Sequence, residues 1–353
     1  MNPTIKSPQF DLRWRGAISD YICAIAWSPD GILAVSNAAG EVGLWNGDDL
    51  VALQPACDRS VDCLAFSHDG QFLATGRQDG QVQIWRWQEQ QLIATLEKAP
   101  GWIEHLAWSP TTNKVAFSCG RYVQLWDAET REIDATLNFD NSSVLSLDWR
   151  PDGEYLAIAG YQGAKIWHSQ DWSDDPYVMI LPSASLAIAW SSDGKYIASG
   201  NMDRTIAVLE WNNPHPWVMR GFPGKVRQLA WSKTGLDTPL LAASALNGIV
   251  VWAKHADELV GWEGTVLERH TDVVEAITFA PDSFLLASAS IDGQVCLWHK
   301  AKKLVQTLTG APEGFSQLAW HPQGQQLAAG SKNGEVLVWS KTTRGEGFGR
   351  SLK

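Results

Sequence analysis

Chemistry in this sequence would have to start from its eight histidines, its five cysteines and the carboxylates near them. A metal site needs ligands at short spacings that bring them to one face of an element. His68, His105, His168, His215, His255, His270, His299 and His321 are instead scattered, with no HxH or HxxxH pair. Cys23, Cys57, Cys63, Cys119 and Cys296 are odd in number and make no CxxC, so free thiols in a reducing cytoplasm are expected. No GxSxG elbow, phosphate-binding GxxxxGK[ST] loop or GxGxxG opening a helix occurs. These residues predict no catalytic group, no metal and no cofactor.

The elements that carry them repeat. Ala26-Trp27-Ser28-Pro29-Asp30-Gly31 returns in varied form with its aromatic residue at Phe66, Trp108, Trp149, Trp190, Trp231, Phe279 and Trp320. The intervals run from 39 to 42 residues, except for one of 48 between Trp231 and Phe279. Each anchor ends an alternating strand such as Ile22–Trp27, and Pro-Asp-Gly then supplies the turn. A small-residue strand follows, such as Leu286-Ala287-Ser288-Ala289-Ser290, and then a third strand with its own anchor. That second series reads Trp45, Trp85, Trp126, Trp167, Leu209, Trp252, Trp298 and Trp339, and a more polar fourth strand completes each unit. Such a unit cannot bury both faces alone, so neighbours must stack. The two series hold thirteen of the twenty tryptophans, read as core between units.

The repeated Trp/Phe-Ser-Pro-Asp-Gly turn and the third strands Asp79–Trp85 and Asp292–Trp298 resemble the WD40-repeat family. The literal Trp-Asp pair occurs once, at Trp126-Asp127. The resemblance implies an all-β, eight-bladed propeller, one domain over residues 8–341 followed by a disordered tail, 344–353. Its repeats would span about 21–57, 60–97, 102–138, 143–180, 184–221, 225–268, 273–309 and 314–341. The last repeat lacks a fourth strand, and Phe10–Arg15 would supply it from the N-terminus. The family's hydrogen-bonded tetrad is implied once, as His270, Ser288, Asp292 and Trp298. His68 and His321 lie in turn sequences. Tryptophan-rich blades also suggest quinone-dependent dehydrogenases, but their tryptophan spacing differs and lacks the Ser-Pro-Asp-Gly turn.

A net charge of −11 argues against a nucleic-acid surface, and no apolar run is long enough to span a membrane. The resemblance implies a cytoplasmic, monomeric ring that binds a protein or peptide partner on its narrow end. Positions six and four residues before each anchor would face that end, with the residue before each second turn. They bring together Tyr21, Trp102, Glu104, Leu145, Tyr161, Leu186, Met202, Lys225 and Arg227 as partner-binding candidates. Asp62, Glu104 and Glu275 are expected mostly on the other arc. Two longer connections, His168–Asp175 with Trp172 and Ala253–Gly264 with Trp262, are alternative carriers of specificity, as is the basic tail. A channel enzyme or small-ligand binder, or an accessory nucleic-acid surface at Lys225 and Arg227, are the other readings kept.

Overall fold

The computed structural model describes residues 10–96, 101–140, 142–161, 163–233, 238–257 and 260–342. The repeated turn does what its residues dictate. In the second repeat Gly70 takes φ 72° and its amide bonds the Ser67 carbonyl at 3.0 Å. Asp69 accepts from the Ser67 hydroxyl at 2.7 Å and the Gln71 amide at 3.0 Å. Asp193 repeats this with Ser191 and Lys195. Each turn hands the first strand to an antiparallel second, and the described strands form eight four-stranded sheets, or blades.

The first strands are Ile22–Trp27, Val61–Phe66, Leu106–Trp108, Ser146–Trp149, Ser185–Trp190, Gln228–Trp231, Val274–Phe279 and Phe315–Trp320. Each touches the first strand of both neighbouring blades, and the last meets Ile22–Trp27, so together they make a closed inner ring. The fold is a β-propeller of eight blades.

The first anchors show why tryptophan recurs. Five of the six indoles donate to the neighbouring blade's backbone: Trp27 to Ala319 (3.1 Å), Trp108 to Ala65 (2.9 Å), Trp149 to Ala107 (3.2 Å), Trp231 to Ala189 (3.0 Å) and Trp320 to Thr278 (3.3 Å). Those accepting residues are small and directly precede the neighbour's anchor, which lets the indole reach. Asp148 occupies that position in blade 4, and the Trp190 indole across from it has no hydrogen-bond partner among the described residues. A buried N–H without a partner carries its desolvation cost, so this joint lacks a bond that the others make. Glycine closes the second strand where blades approach most: a Cβ at Gly200 would lie 2.8 Å from the Val226 carbonyl.

Phe10–Ala17 pairs antiparallel with Glu335–Lys341 and completes blade 8, so the ring is closed by its N-terminal strand. Phe10 is 1 % exposed and meets the Trp320 ring edge-on at 5.4 Å. The Gln306 side chain of blade 7 bonds both the amide (2.9 Å) and the carbonyl (2.7 Å) of Phe10. Trp14 packs on Trp45 of blade 1 at 5.2 Å. One strand thereby joins three blades.

The structure redistributes the long interval. Ala253 ends no loop: the third strand of blade 6 runs Gly248–Lys254 and Trp262 opens the fourth, Trp262–Leu267. Trp262 is 7 % exposed against Trp231 and Tyr196, so it is core and not a surface element. Part of the extra length lies in the first turn of that blade, where the Ser232 amide bonds the Leu240 carbonyl. The same bond in blade 1 joins Ser28 to Ile32. Trp172 is likewise packed, 5.9 Å from the Trp149 ring, with its indole donating to Asp134 at 3.0 Å. Of the seven tryptophans outside the anchor series, only Trp102 is exposed. The basic tail falls outside the described residues. No described helix is long and apolar enough to cross a membrane.

Candidate functional site

Four antiparallel strands put the loop into the first strand and the turn between the second and third at the same end of a blade. Backbone bonds knit these loops into a rim. Met202 bonds Ala184 within blade 5, while Ile103, Val226 and Val274 each bond the turn of the preceding blade at Arg77, Asn201 and Leu246.

The position four before the anchor has a physical basis. In five blades the pairing of first and second strands skips one residue there: Cys23, Asp62, Leu186, Glu275 and Ser316. A bulge leaves its residue outside the ladder and re-aims the side chain. In blades 3, 4 and 6 the strand starts later, and Glu104, Leu145 and Arg227 precede it.

Exposure separates the nine candidates. Trp102, Glu104, Tyr161, Met202, Lys225 and Arg227 are exposed, whereas Tyr21, Leu145 and Leu186 are half-buried. Burial, with the charges of Glu275 and Cys23 adding to it, pushes the Tyr21 phenol above its ordinary range. Trp102 is 56 % exposed, Tyr161 58 %, Met202 43 % and Leu246 51 %. All four sit at this end, on consecutive blades 3 to 6. Every other exposed large apolar side chain among the described residues lies on an outermost strand, apart from Val260. Trp102 is held in place by buried Ile103, and the Tyr161 amide by the Ser142 hydroxyl at 2.9 Å.

The structure gathers Met202, Lys225 and Arg227 around one pocket of about 480 Å³, together with Arg204 and Leu246. Trp102, Glu104 and Tyr161 lie outside it. Arg204 escapes the sequence pattern because it is neither before an anchor nor directly before the turn. Glu275, expected on the opposite arc, also lines this pocket, from blade 7. It pairs with Lys332 at 3.7 Å.

The structure also brings His270, Ser288, Asp292 and Trp298 together. Trp298 Nε1 donates to Ser288 Oγ (2.9 Å), Ser288 lies 2.8 Å from His270 Nε2, and His270 Nδ1 lies 3.0 Å from Asp292 Oδ2. The Asp292 carboxylate also takes the amides of Thr271 and Gln294. The corresponding indole N–H groups of Trp45, Trp85 and Trp252 have no hydrogen-bond partner among the described residues.

A second cavity, about 690 Å³, opens at the other end of the channel between Trp108, Trp149, Trp190 and Trp231. Asp148 is half-buried on its wall and accepts from the Trp190 amide at 2.8 Å. Burial drives its carboxyl up to about 7, against the Trp190 and Trp149 amides and the Lys233 charge. Further around the channel the wall is aliphatic, with Ile25, Leu229, Ile277 and Leu318. No group of three or more His, Cys, Asp or Glu residues placed to hold a metal occurs among the described residues.

Two family descriptions match the chain. "WD domain, G-beta repeat" matches residues 132–168, 182–209, 261–299 and 302–340. "Anaphase-promoting complex subunit 4 WD40 domain" matches residues 26–111. Among similar proteins, Periodic tryptophan protein 2 of Arabidopsis thaliana is 34 % identical over 111 residues, 30 % of this chain and 12 % of that protein. WD repeat and SOCS box-containing protein 1 of Takifugu rubripes is 34 % identical over 110 residues, 30 % of this chain and 25 % of its own length. Coronin-7 of Homo sapiens is 33 % identical over 147 residues, 38 % of this chain and 16 % of its own. The matched stretch thus spans a quarter or less of each relative.

Proposed function

Because this chain belongs to the WD40-repeat family, whose propellers are typically protein-interaction scaffolds, we propose that it is a non-catalytic platform for a protein or peptide partner. The partner docks on the end of the ring that presents Trp102, Tyr161, Met202 and Leu246. The observation that carries this reading is the confinement of those four exposed apolar side chains to adjacent blades at one end. Exposed apolar and aromatic groups flanked by cations, as at Lys225 and Arg227, have the composition of an interface hot spot. One side of the channel is lined mainly by apolar residues, with Lys233 its one charged group among the described residues, which favours docking over channel chemistry there. Five unpaired cysteines, Cys119 and Cys296 among them buried, suit a reducing compartment such as the cytoplasm.

The test compares partner capture by the full chain and by variants of equal melting temperature. Trp102→Ala and Tyr161→Ala should each weaken capture by about tenfold or more, as truncation of aromatic hot-spot residues does. Ile180→Ala removes a side chain 78 % exposed on an outermost strand and should leave capture unchanged. Full capture by both aromatic variants, or its loss in Ile180→Ala, overturns the docking end.

A further inference from the structure

The second turn of each blade needs one residue with positive φ. Glycine supplies it in blades 1, 2, 3, 7 and 8, as Gly40, Gly80, Gly120, Gly293 and Gly334, and blade 4 has Gly163. Blades 5 and 6 hold Arg204 at φ 67° and Leu246 at φ 53° instead. An L-residue with a Cβ is disfavoured there, and a long aliphatic one more than most. Backbone outliers of this kind cluster at binding sites, though other turns of the chain hold them as well, Gln90 and Lys300 among them. The two exceptions are adjacent in the ring, and both line the pocket of about 480 Å³.

The charged groups of that pocket are mostly cations. Arg204, Lys225 and Arg227 are exposed, and among the described residues none of them makes an ion pair or hydrogen bond. The nearest carboxylate on its wall, Glu275, is engaged by Lys332. Ser244 forms part of the lining at 3 % exposure, its hydroxyl without a hydrogen-bond partner among the described residues. Met202 and Leu246 supply apolar lips. Three cations left unneutralised in a chain of net charge −11 constitute a local field opposite to that of the whole.

We infer that this pocket receives an anionic side chain of a partner peptide, a carboxylate or a phosphate monoester, with an apolar neighbour resting on Met202 and Leu246. The inference rests on the docking end proposed above and names the chemistry that one sector of it recognises. Two guanidinium forks and an ammonium match an oxyanion. The apolar lips and the small size favour a single side chain over a polynucleotide, which needs a basic track along successive phosphates.

The probe is a library of randomised peptides of about twelve residues displayed to the full chain, followed by synthetic copies of the selected sequences. Selected peptides should carry Asp or Glu beside a large aliphatic residue. Replacing that acid by its amide, or making Arg204→Gln or Arg227→Gln, should weaken binding about tenfold or more, as loss of a charge-assisted contact does. Exchanging the acid for phosphoserine distinguishes the two sources: tighter binding assigns a phosphate, weaker binding a carboxylate, and either supports the pocket's chemistry. Peptides that depend on Trp102 and Tyr161 but not on the cations overturn this inference and leave the docking end standing. Selected peptides insensitive to all of these changes overturn both, and a library that yields no acidic peptide overturns the inference alone. A single-stranded oligonucleotide that displaces the peptide and requires the same cations overturns it in favour of nucleic acid. Both substituted cations are exposed, and melting curves are compared to check that each variant keeps the ring.

Discussion

His270 and Asp148 show how burial sets the charge of a single group in this ring. Burial pulls the His270 pKa below its ordinary value, against the hydrogen bond and charge of Asp292. The neutral imidazole that results donates from Nδ1 to Asp292 and accepts from the Ser288 hydroxyl at Nε2, so each polar group in the chain from Trp298 is satisfied. His270→Ala leaves Ser288 and Asp292 without their bridge and should cost about 1–3 kcal/mol by denaturant titration. His68→Ala, on an exposed turn, should cost under about 0.5 kcal/mol. Equal costs would remove any structural role for the bridge. His321, though also in a turn sequence, makes a poorer control, because its ring lies 4.9 Å from Trp27 and its Nδ1 accepts from the Gln323 amide. Asp148 works in the opposite sense. With its carboxyl raised from 3.8 to about 7, the folded chain binds a proton that the unfolded chain has released. Stability from this group is therefore greatest near pH 4 and falls as pH rises to about 7, then levels off. Asp148→Asn keeps an acceptor for the Trp190 amide and should flatten that slope. Its melting temperature should exceed the native chain's by a margin that widens from pH 4 to pH 7. A margin independent of pH would place the titration elsewhere.

At the scale of elements, what the sequence makes legible is what backbone chemistry repeats. The Ser-Asp-Gly ties of each turn, the alternation of each strand and the small residue before each anchor recur because every blade solves the same packing problem. The blade count follows from counting anchors, and closure follows from a last repeat one strand short. The position four before the anchor was legible as a rim position, though its cause, a bulge, requires the strand register. Departures from the repeat were harder to place. Trp262 reads as part of an insertion by spacing alone, yet its neighbours Trp231 and Tyr196 come from two other strands of the fold. Glu275 lines the pocket from blade 7 while its carboxylate pairs with Lys332 of blade 8, a placement that a linear map does not show. Arg204 and Leu246 carry a signal that could have been found: each stands at a turn position where other repeats have glycine. Comparing repeats for residues that break a conformational rule, and not only for residues that are apolar or charged, would have picked out the pocket.

The whole molecule is held by closure, which turns eight marginal sheets into one cooperative ring. An open array would expose two faces that match each other and nothing else, along with free strand edges. The closing strand Phe10–Ala17 removes that exposure through pairing with Glu335–Lys341, with Gln306 clamping Phe10 from blade 7 and Trp14 lying on Trp45 of blade 1. Arg15 adds a bond to the Gly310 carbonyl at 2.8 Å. Because these ties reach blades 7, 8 and 1, loss of the strand is not a local event. Deleting residues 1–17 strips one outer strand from blade 8 and uncovers the interface on which both neighbours depend. Phe10→Ala is the milder form: removing a fully buried aromatic ring should cost about 3–5 kcal/mol. The deletion should cost more, and should lower the melting temperature while keeping a single cooperative transition if the ring unfolds as one. A truncated chain that melts within about 1–2 °C of the full chain, less than a 1 kcal/mol loss produces even in large domains, would mean that blade 8 does not need its N-terminal strand. A second transition appearing below the main one would mean that blades 7, 8 and 1 open separately from the rest, so that closure stabilises a sector and not the ring.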